Sequence, residues 1–247
     1  MLPTTWTRPA DLGEAIELVG RGAVPVGGAC ALMSAAFEDP VSEELVDVLD
    51  LLPAGVDDDR IGAGTTLAAL AADPLVAQRW PAVAAAAALT ATPQVRALAT
   101  VGGSVAARLP TADLAAPLAA HGAVVELVDA AGATTPVRIE QYLTEPPTWP
   151  HLVYAVRLTR TGRGSYRRFA LREGPAPAIA TVAAVVVDGE LRMWAGAVGP
   201  TAAPVAFMPG APPAASALRT DARASARYRA RLVAALAAEL VEELEGR

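Results

Sequence analysis

The chain has 247 residues, 53% of them hydrophobic and 19% charged. That balance carries far more apolar material than a disordered chain does, and suffices for one large buried core or two smaller ones. Its 20 basic residues, all arginine, stand against 26 acidic ones for a net charge of −6, and no basic stripe is present, which argues against a nucleic-acid partner. The single cysteine, Cys30, excludes an internal disulfide, a cysteine-rich zinc site and a self-contained iron–sulfur cluster, and fits a reducing cytoplasm.

Met1 to Trp6 lacks the basic and apolar regions of a secretory signal, and no apolar run reaches the roughly 18 residues that span a bilayer. A cytoplasmic protein with no membrane segment is expected. Leu12, Ala15, Ile16 and Val19 recur at helical spacing behind Asp11, and Gly20 to Gly22 stop that helix. Ala23 to Val26 is a short strand that ends on Gly27-Gly28, and Leu45 to Leu49 resumes the strand pattern. Asp57 to Arg60 predicts a turn and Ile61 to Gly64 a glycine-broken strand. Thr65 or Thr66 is placed to cap a helix through Leu67 and Leu70. Helices over 74–80 and 82–89 follow, and the stretch 95–101 runs into Gly102-Gly103, expected as a further glycine turn. Ala112 to Ala120 has helical spacing, and Ala123 to Val128 is a strand closed by a turn at Asp129 to Gly132.

Glu145 to Pro150, rich in proline, reads as a boundary. Beyond it come strands at Leu152 to Leu158 and around Tyr166 to Phe169, an apolar run from Ala178 to Val187, a turn at Asp188-Gly189, and then Leu191 to Val198. A proline-rich loop from Pro200 to Pro213 then leads to an amphipathic helix over 221–244. That helix has arginines early and glutamates late, an order that opposes its macrodipole, so packing has to hold it. The organisation expected from these signals is a first lobe over 1–56, a second over 57–148 and a C-terminal α+β segment over 149–247.

Three glycine-bearing stretches stand out: Val26-Gly27-Gly28-Ala29, Ile61-Gly62-Ala63-Gly64 and Thr100-Val101-Gly102-Gly103-Ser104. Glycine permits positive φ and lets backbone amides approach a ligand with no Cβ between them, as a diphosphate requires. Glycine pairs serve tight turns equally well, and none of the three is a dinucleotide fingerprint or a P-loop, so an ordinary Rossmann or P-loop site is not supported. No Ser-His-Asp or Cys-His set can be assembled, so no catalytic side chain is assigned. His121 and His151 are too far apart in sequence to predict a metal site. Trp6, Trp80 and Trp194 read as packing or interface residues, and Glu126 and Asp129 as solvated.

The order of these turns, with the long stretch Gln94 to Ser104 and then Pro110-Thr111-Ala112-Asp113, resembles the FAD-binding (medium) subunit of molybdenum hydroxylases. That family includes the flavoprotein subunits of carbon monoxide dehydrogenase and xanthine dehydrogenase. The resemblance covers nearly the whole chain: Pro9 to Val19 looks like the family's opening helix, and Asp221 to Leu236, with Ala226-Arg227-Tyr228-Arg229, like its closing one. It implies an α+β fold, with a two-lobed FAD-binding domain of the vanillyl-alcohol-oxidase (PCMH) type followed by a C-terminal α+β domain. It also implies that Val26, Gly27, Gly28, Ala29, Thr100, Gly102, Gly103 and Ser104 hold the FAD diphosphate and that Asp113 hydrogen-bonds the cofactor. Arg168 falls where the family often has a lysine near the flavin. Cys30, next in the first loop, is grouped with the cofactor-binding residues, although a lone cysteine is most simply a small packed one.

As partners the resemblance implies a large molybdenum-cofactor subunit that oxidises the substrate and a small subunit with two [2Fe–2S] clusters. The FAD of this chain would then pass electrons to an acceptor, so the flavin carries the chemistry. The sequence departs from the family in the first loop, where Ala29-Cys30 replaces residues with hydroxyl or amide donors. It departs again in the segment Met33 to Pro40, and at Gly174-Pro175-Ala176-Pro177, which replaces a Gly-Asp pair. These departures leave two other readings open: a fold that has lost FAD and acts as a scaffold, and a small flavin oxidoreductase that works alone.

Overall fold

The computed structural model describes residues 5–35, 44–172, 174 and 176–246. The first unit is a three-stranded parallel sheet of β1 (Thr5–Thr7), β2 (Val24–Val26) and β3 (Glu44–Asp47), in the order β1-β3-β2. Helix α1 (Leu12–Gly20) begins at Asp11, whose side chain accepts from the Glu14 amide, while Glu14 accepts from the Ala10 amide. This reciprocal capping fixes the start of the helix. Ala15 and Ile16 then pack with Val46 and Val48, in a cluster that also takes in Val128 and Leu152 from the second sheet. The short helix α2 (Cys30–Ala35) follows β2.

The second sheet has five strands: β4 (Val56–Asp57), β5 (Arg60–Gly62), β6 (Ala123–Val128), β7 (Thr134–Arg138) and β8 (Leu152–Leu158). Their order is β4-β5-β8-β6-β7, antiparallel throughout. Strand β8, which the sequence reading assigned to the C-terminal segment, lies in the middle of this sheet between β5 and β6. The prolines at 145–150 therefore mark a loop within the second lobe, and the change of sheet comes after Leu158. Val56, expected in the first lobe, likewise pairs with Ile61 in this sheet. Sequence patterning missed β7 because only Val137 of its five residues is buried, which removes the period-2 signal.

Seven short helices cover the sheet: α3 (Leu67–Ala72), α4 (Pro74–Arg79), α5 (Pro81–Leu89), α6 (Pro93–Leu98), α7 (Val101–Ala106), α8 (Ala115–Ala120) and α9 (Ile139–Thr144). Proline opens α4, α5 and α6, where its missing N–H is not needed. Thr66 caps α3 through the Ala69 amide. Helices α5 and α8 are alanine-rich and approach their neighbours closely, around a fully buried Trp80. Of the tryptophans expected as packing or interface residues, Trp6 is 52% exposed, which is compatible with the interface alternative alone.

The third sheet is an antiparallel meander of β9 (Arg163–Phe169), β10 (Ala180–Val187), β11 (Glu190–Gly196) and β12 (Val205–Phe207), in the order β12-β11-β10-β9. Strand β12 falls inside the stretch expected as loop. Val182 and Ala184 of β10 face one way and pack with Val233, Leu236 and Leu240 of α10 (Ala226–Glu245). Ala183 and Val185 face the other way and join the core beneath the second sheet's helices. Burial on both faces is why β10 reads as an unbroken apolar run. The charge order of α10 is also accounted for: Arg229 is fully buried and donates to the Ile179 and Ala197 carbonyls and to Asp221, while Glu239 and Glu243 near the other end pair with Arg167 on β9. No helix among the described residues is long and apolar enough to cross a membrane.

Candidate functional site

Strand β2 delivers the first loop. The Val26 side chain is buried and its carbonyl accepts from the Val48 amide at 2.9 Å, so this residue anchors the strand end. Gly27 and Gly28 follow, and neither has positive φ; the left-handed residue of the loop is Ala29, at φ 57°. The glycines answer a different constraint. A Cβ on Gly28 would lie 1.7 Å from the Leu98 carbonyl oxygen, and one on Gly27 would lie 3.1 Å from Thr100 Oγ1. The first loop is thus pressed onto the α6–α7 connection, and the two stretches expected to share one ligand do meet. Among the described residues no hydrogen bond uses the amides of Gly27, Gly28, Ala29 or Cys30. Cys30 is a packed residue: its Sγ lies 3.3 Å from the Gly28 carbonyl and 3.7 Å from that of Val95, and burial pushes its thiol pKa up.

Gly102-Gly103, expected as a turn, sits instead in the first turn of α7. Thr100 is the N-cap, with Oγ1 accepting from the Gly103 amide at 3.1 Å. The neighbouring amides are spent as well: Val101 donates to the Thr65 carbonyl, Gly102 to that of Ala63 and Ser104 to that of Thr100. Ser104 Oγ donates to the Thr100 carbonyl at 2.8 Å. What remains is the Thr100 hydroxyl hydrogen, which has no acceptor among the described residues. The third stretch is structural throughout. The Gly62, Ala63 and Gly64 amides donate to the carbonyls of Gly55, Tyr154 and Pro53, and Ala63 is the seat on which Gly102 rests, 2.6 Å from where a Cβ would stand.

A second cluster forms where the loop before α8 meets β9. Asp113, only 7% exposed, accepts on Oδ1 from Tyr166 Oη at 2.6 Å and from Arg168 Nε at 3.0 Å. Arg168 also donates through Nη2 to the Ala176 carbonyl at 2.7 Å. Burial raises the Asp113 pKa, while Arg168 and Tyr166 pull against that rise, and burial together with Asp113 holds the Tyr166 phenol well above its usual range. The structure thus joins two residues that the sequence reading placed near the cofactor, and adds Tyr166, which it missed. The available signal was position: Tyr166 and Arg168 are two apart on a strand and so share a face. Neither hydrogen-bonds to the glycine loops.

Elsewhere, His121 is completely buried. Its Nδ1 sits 3.0 Å from the Arg160 carbonyl, its Nε2 has no partner among the described residues, and burial lowers its pKa to about 4. His151 packs edge-on against Tyr142 and Trp149. Glu126 is not merely solvated, since it accepts from Arg60 Nε at 2.9 Å across the sheet. Asp129 accepts from the Ala131 and Ala133 amides and so shapes its own turn. The described residues hold no cluster of His, Cys, Asp and Glu suited to a metal ion.

Residues 2–158 match the family described as the FAD binding domain in molybdopterin dehydrogenase. The chain belongs to this family. It is 30% identical over 132 residues to the putative xanthine dehydrogenase FAD-binding subunit XdhB of Escherichia coli K12, covering 50% of this chain and 45% of that one. It is 32% identical over 137 residues to the carbon monoxide dehydrogenase medium chain of Afipia carboxidovorans, covering 51% and 47%. The chain thus spans about half the length of the curated relatives it matches.

In three dimensions it superposes on a chain of carbon monoxide dehydrogenase from Hydrogenophaga pseudoflava with a TM-score of 0.80 at 24% identity, covering 98% of each. On a chain of quinoline 2-oxidoreductase from Pseudomonas putida 86 the TM-score is 0.81 at 20% identity, covering 98% and 96%. These likenesses establish the α+β fold of the FAD-binding domain together with its C-terminal unit. For a FAD binding domain of this family, the half-buried run of four amides at Gly27 to Cys30, unclaimed among the described residues, fits an anionic diphosphate, which needs converging N–H donors.

Proposed function

We propose that the chain is the flavoprotein subunit of a molybdenum-containing dehydrogenase, passing electrons from a partner's [2Fe–2S] clusters through FAD to an acceptor. The observation that carries the reading is the row of unclaimed amides at Gly27, Gly28, Ala29 and Cys30, held against Thr100 in a chain of this family. These amides would hold the diphosphate, with the Thr100 hydroxyl as a further donor. Gly102, Gly103 and Ser104 support the site by shape, because their own donors are spent. Val26 fixes the strand end from which the loop departs.

Bound FAD supplies the ability to accept electrons singly and release them in pairs. The protein's part is to hold the cofactor and exclude water, and no side chain is assigned a proton-transfer step. The lone cysteine of this sequence cannot hold a [2Fe–2S] cluster, which agrees with the clusters lying elsewhere. A large molybdenum-cofactor subunit and a small [2Fe–2S] subunit are the proposed partners, in keeping with the relatives named for multi-subunit dehydrogenases.

The test is the visible absorption spectrum of the purified protein, with identification of the flavin released on heating. Near-stoichiometric FAD and recovery from native cells with two further polypeptides are expected. A colourless protein that takes up no added FAD overturns the reading in favour of a scaffold, and a flavin-loaded monomer from native cells overturns the partner assignment.

A further inference from the structure

Helix α10 carries seven charged side chains, and the partners already named for Arg229, Glu239 and Glu243 leave four. Arg227, Arg231, Glu242 and Glu245 are exposed and have no hydrogen bond or ion pair through their side chains among the described residues. With Ala234 and Ala238, also exposed, they follow one another at steps of four, three, four, four and three residues. Such steps draw one stripe along the helix. It lies opposite the buried row of Arg229, Val233, Leu236 and Leu240.

Within the chain these four charges are badly placed. Arg227 stands in the first turn, at the positive end of the helix dipole, and Glu245 in the last, at the negative end. Arg227 and Arg231 repel each other one turn apart, as do Glu242 and Glu245. The two groups cannot meet along the helix, because eleven residues part Arg231 from Glu242, about 17 Å. Each cost is small, yet no contact among the described residues offsets it. Uncompensated departures of this kind point to something outside the chain.

The stripe is also symmetric. Arg227 lies nine residues before Leu236 and Glu245 nine after it; Ala234 and Ala238 lie two before and two after; Arg231 and Glu242 lie five before and six after. Laid antiparallel on a copy of itself at the level of Leu236, the stripe brings the arginine pair of each helix opposite the glutamate pair of the other. The alanines fall at the crossing, where short side chains let two helices approach closely, and the two helix dipoles oppose each other. A surface acidic at one end, basic at the other and uncharged midway, at this spacing, is the helix itself turned about a twofold axis.

We propose that the outer stripe of α10 is an interface for a second copy of this chain, with Arg227 and Arg231 of each copy set against Glu245 and Glu242 of the other. The contact is small and its charges stay solvated, so the dimer is weak and salt-sensitive. None of these residues enters the FAD reading, which stands or falls separately.

The experiment is sedimentation velocity of the purified full-length chain over a dilution series, in roughly 50 mM and roughly 1 M salt. The native chain should pass from monomer to dimer with rising concentration at low salt and stay monomeric at high salt, where a Debye length of about 3 Å screens the pairs. Arg227→Glu with Arg231→Glu, and separately Glu242→Arg with Glu245→Arg, should each weaken self-association about a hundredfold, because like charges then meet at both ends. Mixed in equal amounts, the two variants should pair with each other, since one stripe is then wholly acidic and the other wholly basic. Both pairs of substitutions put charges where the helix dipole favours them. The melting temperature should therefore hold or rise while the dimer is lost, which separates the interface from damage to the fold. A native chain that stays monomeric at low salt, variants that self-associate as the native chain does, or a mixture that does not pair each overturns the proposal. Loss of a different co-purified polypeptide from the variants, with the native chain monomeric alone, assigns the face to that partner instead.

Discussion

Two Gly-Gly pairs, at Gly27-Gly28 and Gly102-Gly103, look alike as sequence and do different work. The second is folded into a helix start in which all four amides from Val101 to Ser104 are bonded within the protein. The first precedes a helix without joining it, and its amides have no partner among the described residues. Neither pair exploits positive φ. Each is glycine because another backbone or side chain passes where a Cβ would be, Leu98 in the first case and Ala63 in the second. A glycine pair therefore marks close approach here, and only the bookkeeping of amides separates a donor loop from a structural one.

Breaking the approach should have the largest effect. Gly28→Ala puts a methyl 1.7 Å from the Leu98 carbonyl oxygen, a backbone atom that cannot rotate away, and is expected to cost about 3 kcal/mol by overpacking and to abolish flavin retention. Denaturant melts and flavin content measure both.

A perturbation of similar size that is blind to both loops provides the control. His121 is held neutral, with a folded pKa of about 4 against 6.5 in the unfolded chain. The unfolded state then takes up the proton first, so its contribution is complete above pH 6.5 and is lost as pH falls toward 4, by about 3 kcal/mol. Melts at stepped pH should show that loss, and His121→Gln should flatten it without altering flavin affinity at neutral pH.

Thr100 separates the loops more finely, since its oxygen caps α7 and its hydrogen is free. Thr100→Ala should cost about 1 kcal/mol of stability through the lost cap and also weaken FAD binding several-fold. A variant that loses stability and keeps full affinity would move the second loop wholly to the structural side. The smallest change has the opposite sign. Ala29 holds φ 57°, so Ala29→Gly should stabilise the chain by up to about 1 kcal/mol by relieving the left-handed strain. FAD affinity should then stay level or rise, because the amide that binds is unchanged.

Much of the fold was legible locally. The Asp11 cap, the Thr66 cap, the Asp188-Gly189 hairpin and the two-sided burial of β10 all leave marks within a few residues of themselves. The placement of β8 was not legible, because its partners Arg60 to Gly62 and Ala123 to Val128 lie far away in sequence and the prolines at 145–150 look like an ending. The site was half legible: the glycine pairs pointed to the loops that meet, but which amides stay free depends on Ala63, Thr65 and Thr100 arriving from elsewhere. Tyr166 gave no signal of its own, since a tyrosine among the arginines of β9 names no partner, and its hydroxyl finds Asp113 53 residues away.

The family match ends at residue 158, yet Tyr166, Ala183 and Val185 of the third sheet share one core with Trp80, Val83 and Leu118 of the preceding part. A boundary drawn by ancestry thus runs through the middle of a folding unit. Heat or denaturant should melt the chain from β4 to α10 in a single transition, and a fragment cut after Leu158 would carry an open apolar face and aggregate instead of behaving as a free-standing cofactor module.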